Sequence, residues 1–323
     1  MPNRRSDKTP GRGARAGESR SGEGGQSDAG VPWELPHTFL GLDEGGSALA
    51  SAKAVILPVP YEATTSWGSG TRLGPRAILE ASRYVELYDQ ELGCDPSIVG
   101  IHTLPALELT RAGPGPALGE LEEAFGRLLN RMGDRFPVTL GGEHSISASL
   151  IRAVAARTEG RLSVLQLDAH ADLREEHEGT PDSHASAMRL VLDVADVVGV
   201  GIRGICEEEV QVAHAVDGVT LIYADEMWED DEWMDRALEA LGDPVYLTFD
   251  VDFFDPSILP STGTPEPGGG DWYRTLRFLR RVFRERRVVA CDVVELAPIP
   301  GLAAPDFTVA KLVYKLVGYR FHA

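Results

Sequence analysis

Short apolar runs rich in β-branched residues alternate along this chain with segments of helical periodicity, and that alternation restricts the fold more than any other feature. Strands are expected at Ala54 to Pro58, Phe136 to Leu140, Leu162 to Leu167, Val197 to Gly201, Thr220 to Tyr223, Val245 to Phe249 and Val288 to Val293. Helical patterns fall at Gly74 to Tyr88, Ala117 to Met132, Ile146 to Ala156, His184 to Leu192, Glu207 to His214, Met227 to Leu241, Trp272 to Glu285 and Asp306 to Val317. Such alternation builds a parallel sheet covered by helices on both faces, and ligands of open α/β sheets gather beyond the carboxyl ends of the strands.

Three of the runs end in ionisable residues. Phe136 to Leu140 leads into Gly141-Gly142-Glu143-His144-Ser145, Leu162 to Leu167 into Asp168-Ala169-His170-Ala171-Asp172, and Val245 to Phe249 into Asp250-Val251-Asp252. Residues i, i+2 and i+4 of an extended segment point to one side, so Asp168, His170 and Asp172 are expected to converge, as are Asp250 and Asp252. With His144 these make four carboxylates and two imidazoles, a hard, oxygen-rich set that suits Mn²⁺. About four carboxylates are what two neighbouring divalent cations need to offset their repulsion. Alone, an Asp-x-Asp is usually a turn and a histidine beside a glycine pair is usually structural. Three ionisable groups on one buried face are costly unless compensated, and the three clusters contain no Arg or Lys to do so.

Further motifs accompany them: Leu57-Pro58-Val59-Pro60-Tyr61-Glu62, Gly70-Thr71-Arg72-Leu73-Gly74-Pro75, Thr262-Gly263-Thr264-Pro265-Glu266-Pro267-Gly268-Gly269 and Asp292-Val293-Val294-Glu295. On these residues the sequence, from about Lys53 to Tyr319, resembles the ureohydrolase family of arginase and agmatinase, and most nearly its bacterial and archaeal agmatinase branch. The resemblance implies a three-layer αβα sandwich around a mainly parallel eight-stranded sheet. It implies two Mn²⁺ per chain on His144, Asp168, His170, Asp172, Asp250 and Asp252. One ion would take His144, Asp168, Asp172 and Asp250; the other His170, Asp168, Asp250 and Asp252.

By the same resemblance Glu295 pairs with a substrate guanidinium, a natural bidentate contact. Thr264 supports that glutamate. His184 contacts substrate or, like Asp172, passes a proton to the leaving amine. Without the motif, Glu295 reads as a solvated strand-end carboxylate and His184 as a histidine near a helix N-terminus. His177 matches no motif and is expected at the surface. The family also implies a homo-oligomer, trimer or hexamer.

Composition fits a cytoplasmic enzyme. No apolar run approaches the roughly 20 residues of a membrane span, and the N-terminus lacks a signal-peptide core, so no membrane partner is expected. Residues 1 to 31, rich in Gly, Ser and Arg, are expected to be a disordered tail, leaving residues 32–323 as one catalytic domain. Cys94, Cys206 and Cys291 lack paired spacing and read as reduced thiols. Acidic residues number 50 against 31 basic, which excludes nucleic acid as a partner and is compatible with a cationic substrate or with solubility alone.

Substrate choice rests on the loop Leu173 to Asp182, with acidic residues at Glu175, Glu176, Glu178 and Asp182. It lacks the Ser/Asn-rich pattern with which arginases hold the α-groups of arginine. Agmatine, cleaved to putrescine and urea, is therefore the expected substrate. N1-aminopropylagmatine, one amine longer, fits nearly as well, and anionic guanidinobutyrate fits poorly. A deacetylase-like amide hydrolase with one zinc and a non-catalytic metal-binding homologue are the readings from other classes. Neither accounts for the full carboxylate set together with Glu295.

Overall fold

The computed structural model describes residues 34–323, so the tail expected over residues 1 to 31 lies outside the described residues. Eight strands form one sheet: β1 (Ala54–Val59), β2 (Ile101–Thr103), β3 (Phe136–Gly141), β4 (Leu162–Leu167), β5 (Ala195–Ile202), β6 (Val219–Tyr223), β7 (Val245–Asp250) and β8 (Val288–Val294). Their order is β2-β1-β3-β8-β7-β4-β5-β6, and every pairing is parallel. Helices α1 (Glu44–Ser47), α2 (Gly74–Ser82), α3 (Pro114–Met132), α4 (Ser145–Ala155), α5 (Glu207–Ala215), α6 (Ala224–Glu229), α7 (Glu232–Ala240), α8 (Trp272–Glu285) and α9 (Ala304–His322) connect and cover them.

The central strands read as continuous apolar runs because both faces are covered. Ile56, Val138, Leu140, Leu247, Phe249 and Val293 pack on one side with Ile78 of α2, Leu279 of α8 and Val313 of α9. Val55, Leu57, Val164, Ala290 and Val294 pack on the other with Leu121 and Phe125 of α3 and Leu150 of α4. The three-layer αβα sandwich follows, and Leu35–Ala323 packs as one compact unit. Among the described residues no helix is long and apolar enough to cross a membrane, and Cys94, Cys206 and Cys291 are free.

Four segments differ from the sequence reading. β2 has only three residues, too few to show a period. His184 to Leu192 forms two 3₁₀ turns, His184–Ser186 and Arg189–Val191, because the carbonyl of Asp172 accepts the N–H groups of Met188 and Arg189 and breaks the helical ladder. Met227 to Leu241 splits into α6 and α7 at Asp230, whose extended backbone and Oδ1 bond to the Glu232 N–H end one helix before the next. Gly74 to Tyr88 stops at Ser82, whose hydroxyl donates to the Leu79 carbonyl and accepts the Leu40 N–H.

Strands β3, β8, β7 and β4 are neighbours, with Leu140 and Phe249 both in register with Val293, and Leu167 with Phe249. Their carboxyl ends therefore lie side by side. Each carries a residue that the sequence singled out.

Candidate metal and substrate site

Nδ1 of His144 lies 3.0 Å from Asp168 Oδ2, 3.0 Å from Asp172 Oδ2 and 3.3 Å from Asp250 Oδ2. Nδ1 of His170 lies 3.0 Å from Asp252 Oδ2 and 3.7 Å from Asp168 Oδ1. The six residues thus converge, with Asp168 facing both imidazoles and all but His170 buried. Ligand atoms of His144, Asp168 and Asp172 group together, as do those of Asp168, His170 and Asp252.

The route to convergence corrects the period-2 expectation. β4 ends at Leu167, and Asp172 has a positive φ of 52°, so Asp168 to Asp172 is a bent segment rather than a strand. Asp250 closes β7, while Asp252 stands in the 3₁₀ turn Val251–Phe253, its N–H bonded to Asp250 Oδ1 at 2.9 Å. Gln166 fixes Asp168 from behind through Nε2 to Oδ2, at 2.9 Å. Arg203 also approaches, yet its guanidinium is given over to backbone carbonyls, including those of Gly201, Asp252 and Glu266. It does not neutralise a site carboxylate by hydrogen bonding.

Electrostatics show what the cluster calls for. Burial first, then Asp168, pushes the Asp172 carboxyl up to about 7. Burial, with Asp252 and Asp168, raises Asp250 well above the carboxylate range. Burial disfavours charge on both histidines, but the facing carboxylates outweigh it; His170 is pushed up to about 12. Burial also opposes ionisation of Asp168, and His144 and His170 nonetheless hold it below the ordinary range. Crowded carboxylates whose ionisation is this expensive are what a bound cation relieves. Although Nδ1 of His144 is within ion-pair distance of three carboxylates, it is buried and aligned for a hydrogen bond with none of them. A ring nitrogen pointing between oxygens rather than at one fits metal ligation. The cluster is compatible with a metal site.

Glu295 follows β8 in a left-handed backbone conformation, φ 65°, with its N–H on the Gly142 carbonyl at 2.8 Å. Asp172 and Glu295, two of the four described non-glycine residues with positive φ, both belong to this site, where backbone strain commonly accompanies function. Oε1 of Glu295 accepts the His144 N–H at 2.7 Å, and burial, then Glu143, raises its carboxyl well above the ordinary range. Thr264 lines the same cavity, but among the described residues it makes no hydrogen bond to Glu295. Direct support comes instead from the backbone of Gly142 and His144.

The cavity is bounded by Thr65, Ser66 and Gly68, by Gly263 and Thr264, and by His184, Glu295 and all of the metal-type ligands but Asp168. His184 lines the same cavity as Glu295. Its Nδ1 is 3.2 Å from Thr64 Oγ1 and its Nε2 3.0 Å from Ser66 Oγ. Burial and the neighbouring His177, His144 and His170 push it down to about 4, so it is neutral at pH 7. His177 is not a plain surface residue. It is half-buried, edge-on to His184 at 5.3 Å between ring centroids, with Nε2 2.9 Å from Ser66 Oγ.

Glu143, which the sequence reading passed over, organises the rim. Fully buried, it accepts the N–H groups of Ala63 and Thr64 at 2.6 and 2.7 Å, the Thr64 hydroxyl at 2.9 Å and the Ser145 hydroxyl at 2.6 Å. Its place beside His144 was the available signal. Glu62 clasps the early motifs to each other, accepting the N–H groups of Gly70 and Arg72 at 2.9 and 3.0 Å. Gly68 then rests on Gly263, N–H to carbonyl at 3.1 Å, and a Cβ at Gly68 would come within 2.9 Å of that oxygen.

Fold and cluster together define an α/β protein with a carboxylate-rich, metal-compatible centre at the ends of its central strands. Residues 52–318 match the family model described as the arginase family, and the chain belongs to that family of ureohydrolases. It is 39% identical over 289 residues to the N(1)-aminopropylagmatine ureohydrolase of Synechocystis sp., spanning 88% of this chain and 94% of the relative. It is 35% identical to the agmatinase of Bacillus cereus, over 77% of this chain and 84% of that one. Among solved structures, the agmatine ureohydrolase of Thermoplasma volcanium superposes with a TM-score of 0.77 at 26% identity, covering 85% of this chain and 92% of its own.

Proposed function

We propose that this chain is a binuclear manganese ureohydrolase whose substrate is N1-aminopropylagmatine, which it would split into urea and the corresponding polyamine. Agmatine, favoured on the sequence alone, moves to second place: the relative named for the aminopropyl substrate is 39% identical and the agmatinase 35%. The observation that carries the two-metal reading is the pair of ligand groups that share Asp168, with His144 and Asp172 in one and His170 and Asp252 in the other.

His144, Asp168, Asp172 and Asp250 would hold one ion, and His170, Asp168, Asp250 and Asp252 the other. When bound, the ions supply a water activated for attack near neutral pH. Glu295, with Oε1 tied to His144, would pair its carboxylate with the guanidinium and so set the reacting carbon beside the cluster. Asp172 or His184, the latter relaying a proton as a neutral imidazole, would pass a proton to the leaving amine. Thr264, which lines the cavity, would contact the substrate.

Support for an amine-ended substrate comes from the lining. Among the described residues, none of those bounding the cavity is Lys or Arg, so the α-carboxylate of arginine or the tail of guanidinobutyrate meets no basic side chain of the lining. The acidic loop contributes less directly than its sequence suggests. The backbone N–H of Glu175 donates to the Glu208 carboxylate at 3.1 Å and the Asp182 carboxylate lies beside Gly115, while His177 packs against His184 at the rim. The same reading takes the protein as a cytoplasmic homo-oligomer, trimer or hexamer, as sedimentation would establish. Equimolar mixtures of aminopropylagmatine, agmatine and arginine, with each remaining substrate and each amine product quantified over time, test the substrate assignment. Aminopropylagmatine should be consumed first, and preferential consumption of arginine would overturn it.

A further inference from the structure

A buried polar chain leads away from the back of His144 across two strands, and none of its members belongs to the six-residue cluster. Nε2 of His144 is 2.8 Å from Thr248 Oγ1, and that oxygen is 2.6 Å from Asp292 Oδ1. The other carboxylate oxygen, Oδ2, accepts the Tyr246 hydroxyl at 2.7 Å. Ser147 of α4 stands 3.3 Å from the same threonine oxygen. Thr248, Asp292 and Tyr246 are each wholly buried. Thr248 and Asp292 are register partners on β7 and β8, so the pair is built into the sheet.

Proton counting gives this chain a direction. A threonine hydroxyl has one proton to give and a tyrosine hydroxyl one, and although burial pushes the Asp292 carboxyl up, both hydroxyls are aligned to donate to it. If Asp292 accepts from both Tyr246 and Thr248, the threonine proton is spent, and only its lone pairs remain to face His144. Nε2 must then carry a hydrogen, which leaves the lone pair on Nδ1, the nitrogen set among Asp168, Asp172 and Asp250. The opposite polarity would put a proton on Nδ1 and block ligation. Burying four polar side chains between sheet and helix is expensive unless each is satisfied, so the chain is an ordered device rather than incidental polarity.

We propose that Thr248, backed by Asp292 and Tyr246, is a positioning residue that fixes the tautomer and ring orientation of His144 for metal binding. This rests on the two-metal reading and deepens it. Hydrogen-bond partners behind a metal-bound histidine typically govern affinity by about 10- to 100-fold. Here that share falls to a neutral hydroxyl relaying a carboxylate, rather than to a carboxylate touching the ring.

The test is titration of the full-length protein with Mn²⁺ alone, reading each dissociation constant by calorimetry, for wild type, Thr248→Val, Thr248→Ser and Tyr246→Phe. Thr248→Val keeps the shape and removes the acceptor. It should weaken one of the two binding steps, that of the ion held by His144, by about 10- to 100-fold, while Thr248→Ser, which restores the hydroxyl, stays close to wild type. Tyr246→Phe, remote from the ions, should weaken the same step by a smaller factor. It also decides the matter should Thr248→Val fail to fold. Two Mn²⁺ bound with unchanged affinity by Thr248→Val, or by Tyr246→Phe in that event, would overturn the relay and leave the two-metal reading standing. A wild-type protein that binds fewer than two Mn²⁺ would overturn the reading itself.

Discussion

The N–H of His144 donates to Oε1 of Glu295 at 2.7 Å, so the proposed guanidinium clamp and a proposed metal ligand are joined through one backbone amide. Glu295 is thereby held against the cluster, in a backbone conformation that few non-glycine residues adopt.

Glu295→Gln is the variant that separates clamp from ligand. The amide oxygen can still accept the His144 N–H, so the metal-type cluster should stay intact while the charge facing the guanidinium is lost. We expect kcat/KM to fall by about a hundredfold or more, in line with a charged contact of a few kcal/mol. Metal content should not change. Loss of both metal and activity would show that Glu295 acts on the cluster rather than on the substrate.

Metal uptake should release protons. Asp172 holds its proton up to about 7 and His170 up to about 12 before an ion is added, and both must lose it to ligate. A raised pKa among the ligands means that affinity is weakened below it, so the apparent Mn²⁺ affinity should rise as pH goes from 6 to 8. Calorimetry in two buffers of different ionisation enthalpy measures the protons released. A pH-independent affinity would count against these residues as ligands. In the same assay Asp250→Asn should lose metal and nearly all turnover with the fold intact.

Glu143→Gln should loosen the rim. Four donors converge on this carboxylate, and the amide cannot satisfy all of them. Hydrogen exchange over residues 61–68 should quicken and KM should rise several-fold. Unchanged exchange there would show that the segment is held by its contact between Gly68 and Gly263 instead.

Away from the site, Lys315 of α9 is buried with Nζ 2.8 Å from both Asp89 and Glu91. Burial opposes ionisation of each carboxyl, yet the Lys315 hydrogen bonds hold both below the ordinary range. Depressed carboxylates contribute stability that is present above about pH 4 and lost as pH falls through the lower folded values. Lys315→Met should therefore cost about 3–5 kcal/mol at pH 7, and urea unfolding at pH 3 should show a smaller gap. A gap independent of pH would assign the loss to packing.

The parts of this molecule that sequence made legible are those in which one local pattern has one physical outcome. Runs such as Leu162 to Leu167 are buried on both faces, so they had to be central strands, and the ionisable residues behind them had to meet where strands β3, β8, β7 and β4 end together. What escaped depends on contacts distant in sequence. Helical periodicity over His184 to Leu192 is defeated by the carbonyl of Asp172, and His177 became a rim residue only through Ser66, 111 positions away. Thr248 and Asp292 lie in apolar strands where no pattern marks a polar chain. Asp168 to Asp172 converge as foreseen, but through the left-handed turn at Asp172 rather than through strand alternation.

Metal analysis of the purified protein at full urea-releasing activity tests the account most directly. Two Mn²⁺ per chain are predicted, with activity abolished by chelation and restored by Mn²⁺. A fully active protein carrying one tightly held zinc per chain would contradict it.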